Sequence, residues 1–395
     1  MEENAILGKA DAIRISNRET SGMLTASVIT GEDGLRELAP EWTALFDRSH
    51  CDNIYLSYEW MQECWNQREG GTELFLVAVR SESGTLVGLA PLCIAVGKRH
   101  GLKFRVLTWL TLAKACCDHL DMVVEQGLEE VAAEAVAGQI VAHGRSWNWV
   151  DLDHTAPDSP SMTALARKLS EAGLTEYGRP SSVCPYVVLA DSWDEFFGGL
   201  SASMRRNLRS RWRALEGKGN VQFQCLTEPG EIEAGFEELV RLHRLRFSGG
   251  SLVSAFLREG LQKLHKHLLL PLAKRGRVRI YILQVNGASV SALYGFSTGR
   301  RIFQYQGGLD PEWLREGVGA ACIAAAIEDS IARGEVEYDF LRGEEEHKSY
   351  WTKTARQDRA VMFFGSGLVG RIELYRLRLF DRIRAWRKAR QKQQP

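Results

Sequence analysis

The chain has 395 residues, with 50 Lys+Arg balanced by 50 Asp+Glu and 45% apolar residues. This balance excludes a molecule-wide attraction to polyanions and a largely disordered chain, and the length predicts two domains rather than one core. The eight cysteines are scattered without a C-x-x-C pair, so a reduced chain of mostly buried thiols is expected in the cytoplasm, and no metal centre is expected.

Residues 1–22 lack periodicity and an apolar h-region and read as a flexible leader, which does not favour export. No uninterrupted apolar run approaches the roughly 20 residues of a spanning helix. A first domain is expected over 23–190. Leu35, Leu38, Trp42, Leu45 and Phe46 mark a helix, and apolar runs at 74–79 and 86–92 around Ser83-Gly84 mark a hairpin. Strands follow near 104–109, 120–124 and 147–152, with a helix over 129–142, another near 161–171 and a strand at 186–189.

The segment 191–219 reads as a basic connecting helix. Ser201 or Ser203 suits its N-cap, and Met204, Leu208, Trp212 and Leu215 share one face among Arg205, Arg206, Arg209, Arg211 and Arg213. The order then repeats over 220–366: a helix around 232–243, a hairpin at 278–285 and 288–296 turning at Asn286-Gly287, and a strand at 301–307. A long helix from about Leu314 ends at Gly334, and a strand over 336–341 follows. In both halves a strand with an aspartate (Asp151, Asp339) follows a helix, which suggests a diverged duplication. The tail, 367–395, reads as a basic amphipathic helix. Ile372, Tyr375, Leu379, Ile383 and Trp386 form its stripe, which would suit an anionic membrane surface over 371–390 or dock on the protein itself.

Two segments carry chemistry. Arg315-Glu316-Gly317-Val318-Gly319-Ala320 opens a helix, where backbone N–H groups and the helix dipole can hold a phosphate. Glu337 to Trp351 carries Asp339, a turn at Arg342-Gly343, Glu344 and His347-Lys348 at the carboxyl end of a strand, where α/β sheets place ligands. A rival H-x-D pair, His119-Leu120-Asp121 with His154, has the form of a non-haem iron site but lacks the surrounding jelly-roll pattern.

The blocks 75–92, 204–215 and 339–351 together resemble the CelD/BioF-like acetyltransferase family, a GNAT-superfamily branch related to the Fem aminoacyltransferases. The resemblance spans about 25–365. It implies an α+β fold of two tandem GNAT-like domains, each a mixed, mostly antiparallel sheet flanked by helices. Such relatives commonly have Tyr-Lys where this chain has His347-Lys348, and Arg315 stands one residue closer to Gly317 than in the family's pyrophosphate loop. The implied activity is acyl transfer from acetyl-CoA or another acyl-CoA to an amine or hydroxyl of a small molecule or an envelope or polysaccharide precursor. Arg315, Gly317, Val318, Gly319, Ala320, Arg205 and Arg206 would hold the donor, and Asp339, Glu344 and Lys348 would serve the chemistry. The alternatives are a non-catalytic GNAT-like scaffold and a Fem-like transferase using aminoacyl-tRNA, so tRNA stays open as a partner.

Overall fold

Tight turns between apolar strands build most of the fold. The computed structural model describes residues 13–16, 23–49, 51–99, 102–247 and 254–391. Strand β1 (Ile13–Ser16) pairs with β2 (Met23–Ile29), so part of the expected leader belongs to the sheet, and the rest of that leader lies outside the described residues. Helices α1 (Glu32–Glu37), α2 (Ala39–Arg48) and α3 (Tyr58–Asn66) precede the hairpin of β3 (Glu73–Arg80) and β4 (Leu86–Arg99). Then come β5 (Leu102–Trp109), β6 (Val123–Val124), α4 (Glu129–Ala142), β7 (Trp149–Thr155), α5 (Pro160–Glu171) and β8 (Thr175–Val188). Ser159 caps α5 by accepting from the Met162 N–H at 3.0 Å, with Pro160 at the first helical position, where its missing N–H costs nothing.

The second half runs α6 (Trp193–Gly199), α7 (Ala202–Glu216), β9 (Val221–Leu226), α8 (Pro229–Phe247) and α9 (Glu259–Ala273). It continues with β10 (Val278–Val285), β11 (Ala288–Ser297), β12 (Arg301–Leu309), α10 (Val318–Ala332), β13 (Glu337–Asp339), β14 (Ala355–Phe364) and α11 (Leu368–Gln391). Asn286 and Gly287 both take positive φ, 51° and 79°, as a two-residue hairpin between β10 and β11 requires. Ser201 is the cap of the basic helix α7, accepting from the Met204 N–H at 3.2 Å. Met204, Leu208 and Leu215 are buried under that helix. The helix expected from Leu314 starts only at Val318, because Gly317 takes φ +70° before it.

All fourteen described strands form one sheet, ordered β1-β2-β3-β4-β5-β7-β14-β8-β13-β12-β11-β10-β9 with β6 on β4. Both halves are α+β, and they share strands at their seam. β14, near the C-terminus, lies between β7 and β8 of the first half, pairing Phe364 with both Trp149 and Thr175. β8 pairs with β14 through 175–185 and with β13 through 186–188. One apolar core cluster likewise spans both halves: Trp60 of α3 packs edge-on against Phe296 of β11 at 5.2 Å, and Tyr55 meets Phe303 at 6.0 Å.

Candidate active site

The sheet opens at β12 and β13. They are parallel but pair through three residues only, Arg301↔Glu337, Ile302↔Tyr338 and Phe303↔Asp339. β13 ends there while β12 runs on to Leu309, leaving a wedge. The first half has the same register: Val106↔Trp149, Leu107↔Val150 and Thr108↔Asp151. Asp151 and Asp339 thus hold equivalent places. In the first half, however, the wedge is filled by chain, since Leu120 bridges Thr155 and exchanges backbone hydrogen bonds with His154 and Ala156. In the second half it opens into a cleft of about 1330 Å³.

One wall of the cleft is the start of α10. Gly317, Val318, Gly319 and Ala320 all line it, as the sequence pattern suggests. The first helical N–H groups, on Val318 and Gly319, have no acceptor inside the helix and carry its positive dipole end. A Cβ at Gly317 would come within 2.6 Å of the Arg211 side chain, so this glycine permits an arginine to lie over the helix start. Arg211, from α7, is the cation at this wall. The expected donor-binding arginines are elsewhere. Arg205 donates to the Gly198 carbonyl at 2.6 Å and to that of Leu200, closing the end of α6. Arg206 and Arg315 are exposed and outside the cleft wall.

The loop after β13 forms the opposite wall. Leu341 takes φ +58° and Gly343 φ +112°, and the Asp339 carboxylate accepts from the Leu341 N–H at 2.7 Å. The Lys348 ammonium sits under this loop. It donates to the carbonyls of Leu341 (3.2 Å), Arg342 (2.8 Å) and Gly343 (3.3 Å) and lies 2.8 Å from the Glu345 carboxylate. Its three protons are therefore engaged, and Lys348 shapes the loop. Glu344 is not in the cleft wall; its neighbour Glu345 is. His347 also lines the cleft, and burial lowers its pKa, so its imidazole is neutral near pH 7.

Behind the loop lies a buried polar network that linear sequence does not reveal. Asp339 is fully buried and faces His119, whose Nε2 is 3.1 Å away. The His119 Nδ1 is 2.7 Å from Asp358, and its backbone N–H donates to the same carboxylate at 3.0 Å. Arg342 donates to Asp118 from Nε (2.7 Å) and from its backbone (3.0 Å), and to the Cys117 carbonyl at 2.6 Å. Arg356 pairs with Glu337 at 2.7 Å and reaches Asp339 at 3.3 Å, and Arg301 lies 2.6 Å from Glu337. Four carboxylates face Arg301, Arg342, Arg356 and His119, so charge closes when His119 is protonated. Burial opposes that charge, but the Asp339 charge and the hydrogen bonds that His119 donates to Asp339 and Asp358 override it and raise the His119 pKa well above its ordinary value. Burial, only partly offset by Arg342, pushes Asp118 up to about 6.

The H-x-D pair does not act as a unit. His119 is engaged as above, while Asp121 turns back to the Met122 N–H at 2.7 Å. Asp118, Asp358 and His119 were missed as a group because Asp358 stands 239 residues from His119 in the chain.

Residues 202–349 match the family model of the acetyltransferase (GNAT) domain. The enzyme class is acyltransferase, carried by the C-terminal half. No curated protein matches the chain. Among solved structures it is similar to FemX, with 11% identity and a TM-score of 0.58 over 85% of this chain and 96% of that one. It is similar to a conserved protein of unknown function from Bacteroides thetaiotaomicron, with 11% identity and a TM-score of 0.52 over 86% and 100% of the two chains. A third likeness is to the C-terminal domain of a putative lysylphosphatidylglycerol synthetase from Agrobacterium fabrum, with 10% identity and a TM-score of 0.52 over 86% and 95%. At these identities the likeness concerns the fold alone.

Proposed function

We propose that this chain moves an acyl group from acyl-CoA to an amine or hydroxyl acceptor bound in the β12–β13 cleft, as a member of the CelD/BioF-like branch acting on an envelope or polysaccharide precursor. The observation that carries this reading is the open wedge flanked by the α10 N-terminus and Arg211. The cleft wall bears five cations, Arg211, Arg246, Arg342, Lys348 and Lys353, against two acids, Asp118 and Glu345, which fits a polyanionic donor. Gly317 to Ala320 and Arg211 would hold its pyrophosphate, and the unpaired edge of β12 past Phe303 would receive its pantetheine arm. The thioester supplies an activated carbonyl; the acceptor's nitrogen or oxygen bonds to it, the thiolate leaves, and the acceptor's proton passes to a base. His347 is the neutral imidazole in the wall that suits this last task. Lys348 and Asp339 act on the loop geometry.

Calorimetry with acetyl-CoA tests the reading. Binding that weakens about tenfold in Arg211→Gln and is unchanged in Arg206→Gln supports it. No binding to the wild-type protein overturns it and favours the non-catalytic scaffold. A second reading, aminoacyl-tRNA as donor, draws on the exposed face of α7, where Arg206, Arg209 and Arg213 point to solvent. It requires salt-sensitive tRNA binding that Arg206→Gln and Arg209→Gln weaken.

A further inference from the structure

We propose that α11 docks on an anionic lipid surface through its outward face. The helix is held to the body by its inner side. Leu374 is buried with Val106, Trp149, Met362 and Phe364, and Gly370 sits where a Cβ would come within 2.5 Å of the Asn148 carbonyl. On the opposite side Leu368, Ile372, Tyr375, Leu379, Ile383 and Trp386 are all exposed, from 39% for Ile383 to 73% for Leu368. At 100° per residue these six fall within about 80° of arc and form one continuous stripe. The sequence left open whether this stripe docks on the protein; it faces away. A contiguous apolar stripe in water marks an interaction surface.

Charge decides what covers it. Residues 371–390 hold eight basic and two acidic residues. Both acids are spent near the protein: Glu373 pairs with Arg376, and Asp381 accepts from the Tyr177 hydroxyl at 2.6 Å. The stripe is therefore bordered by Arg371, Arg378 and Arg382 on one side and by Arg376 and Arg387 on the other, with no acid between. A second copy on this face would set arginine against arginine; an anionic headgroup layer would neutralise both borders. Beside the stripe, between α11 and β8, runs a groove of about 450 Å³ that carries Arg179, Arg376, Arg384 and Arg387 against the one acid Asp381, a net positive lining that suits a phosphate headgroup. Tyr375 and Trp386 have the apolar body and polar tip favoured at such a boundary. Among the described residues no helix is long and apolar enough to cross a membrane, so contact would be peripheral.

The experiment is co-sedimentation of the full chain with vesicles of phosphatidylcholine alone or mixed with phosphatidylglycerol. Binding is expected to the anionic vesicles only, and to weaken with salt. Arg378→Gln with Arg382→Gln should weaken it about 30-fold. Leu379→Glu with Trp386→Glu should abolish it while leaving the melting temperature and acetyl-CoA binding as in the wild type, since these side chains support neither core nor cleft. Absence of binding to anionic vesicles overturns the proposal, as does binding that survives Leu379→Glu with Trp386→Glu. A concentration-dependent dimer in sedimentation that these substitutions dissolve would make the face an interface between copies and would also overturn it.

Discussion

His119 in the first half and Asp339 at the end of β13 in the second meet at 3.1 Å, and the other imidazole nitrogen holds Asp358 of the crossing strand β14 at 2.7 Å. This clamp fastens the strand end from which the cleft opens. The His119 pKa is raised, so folding takes up a proton between the unfolded and folded values. The contribution is complete below about pH 6.5 and declines as pH rises toward the folded value. Unfolding free energy from urea titrations should therefore fall above pH 6.5, by up to about 1.4 kcal/mol per pH unit. His119→Gln should cost about 3–5 kcal/mol and flatten that slope, because the buried carboxylates lose their cation. Equal slopes in both proteins would refute the clamp.

Arg211 over Gly317 makes a separable claim about donor binding. Arg211→Gln should raise KM for acyl-CoA about tenfold with little change in stability, the size of one lost charge-assisted hydrogen bond. Gly317→Val should lower stability by about 1–3 kcal/mol as well, since a β-branched residue is strained at φ +70° and would push Arg211 aside. Thermal melts and initial rates on the same preparations distinguish the two.

Local patterns were legible in the sequence where physics is local. The Asn286-Gly287 turn, the Ser201 cap, the stripe of α11 and the small residues opening α10 all follow from short-range geometry. The parallel between Asp151 and Asp339 was also visible, since each lies in an apolar strand that follows a helix. What could not be read was pairing across distance. β14 has no neighbour in sequence that announces its place between β7 and β8, and β8 is far longer than its apolar end at 186–189 suggests because much of it is half-exposed. For the same reason Lys348 looked available for the chemistry; only the fold brings three carbonyls to its ammonium.

The crossing strand predicts that the halves do not separate. A fragment ending at residue 190 lacks β14, leaving the facing edges of β7 and β8 without their partner. Unpaired inner strands aggregate. Residues 23–190 and 191–391, expressed separately, should be insoluble or molten by near-UV circular dichroism, and should recover a cooperative transition when coexpressed. A cooperatively folded 23–190 fragment would show that β14 is dispensable.

His347 predicts a pH signature. Its lowered pKa leaves it neutral near pH 7, so kcat/KM should fall as pH drops below about 6.5 and the imidazole takes a proton. His347→Gln should lower kcat about 10²–10³-fold and remove that limb of the profile while calorimetric affinity for acyl-CoA stays within about twofold. A variant with wild-type kcat would remove His347 from the chemistry.

Lys348 distinguishes loop positioning from direct donor contact. Its ammonium satisfies three carbonyls at the turn and the Glu345 carboxylate, and its side chain is 7% exposed. Lys348→Met leaves those acceptors without their cation, so stability should fall by about 1–3 kcal/mol. The loop that presents Arg342 and His347 should lose its shape, lowering kcat, while acyl-CoA affinity at the α10 start is unchanged. Lys348→Arg should not rescue, because a planar guanidinium cannot reach three converging carbonyls in the space of an ammonium. A direct anion-binding role predicts the reverse: KM for the donor rises, stability holds, and arginine substitutes well. Urea titration and the split between kcat and KM, measured for both variants, decide between them.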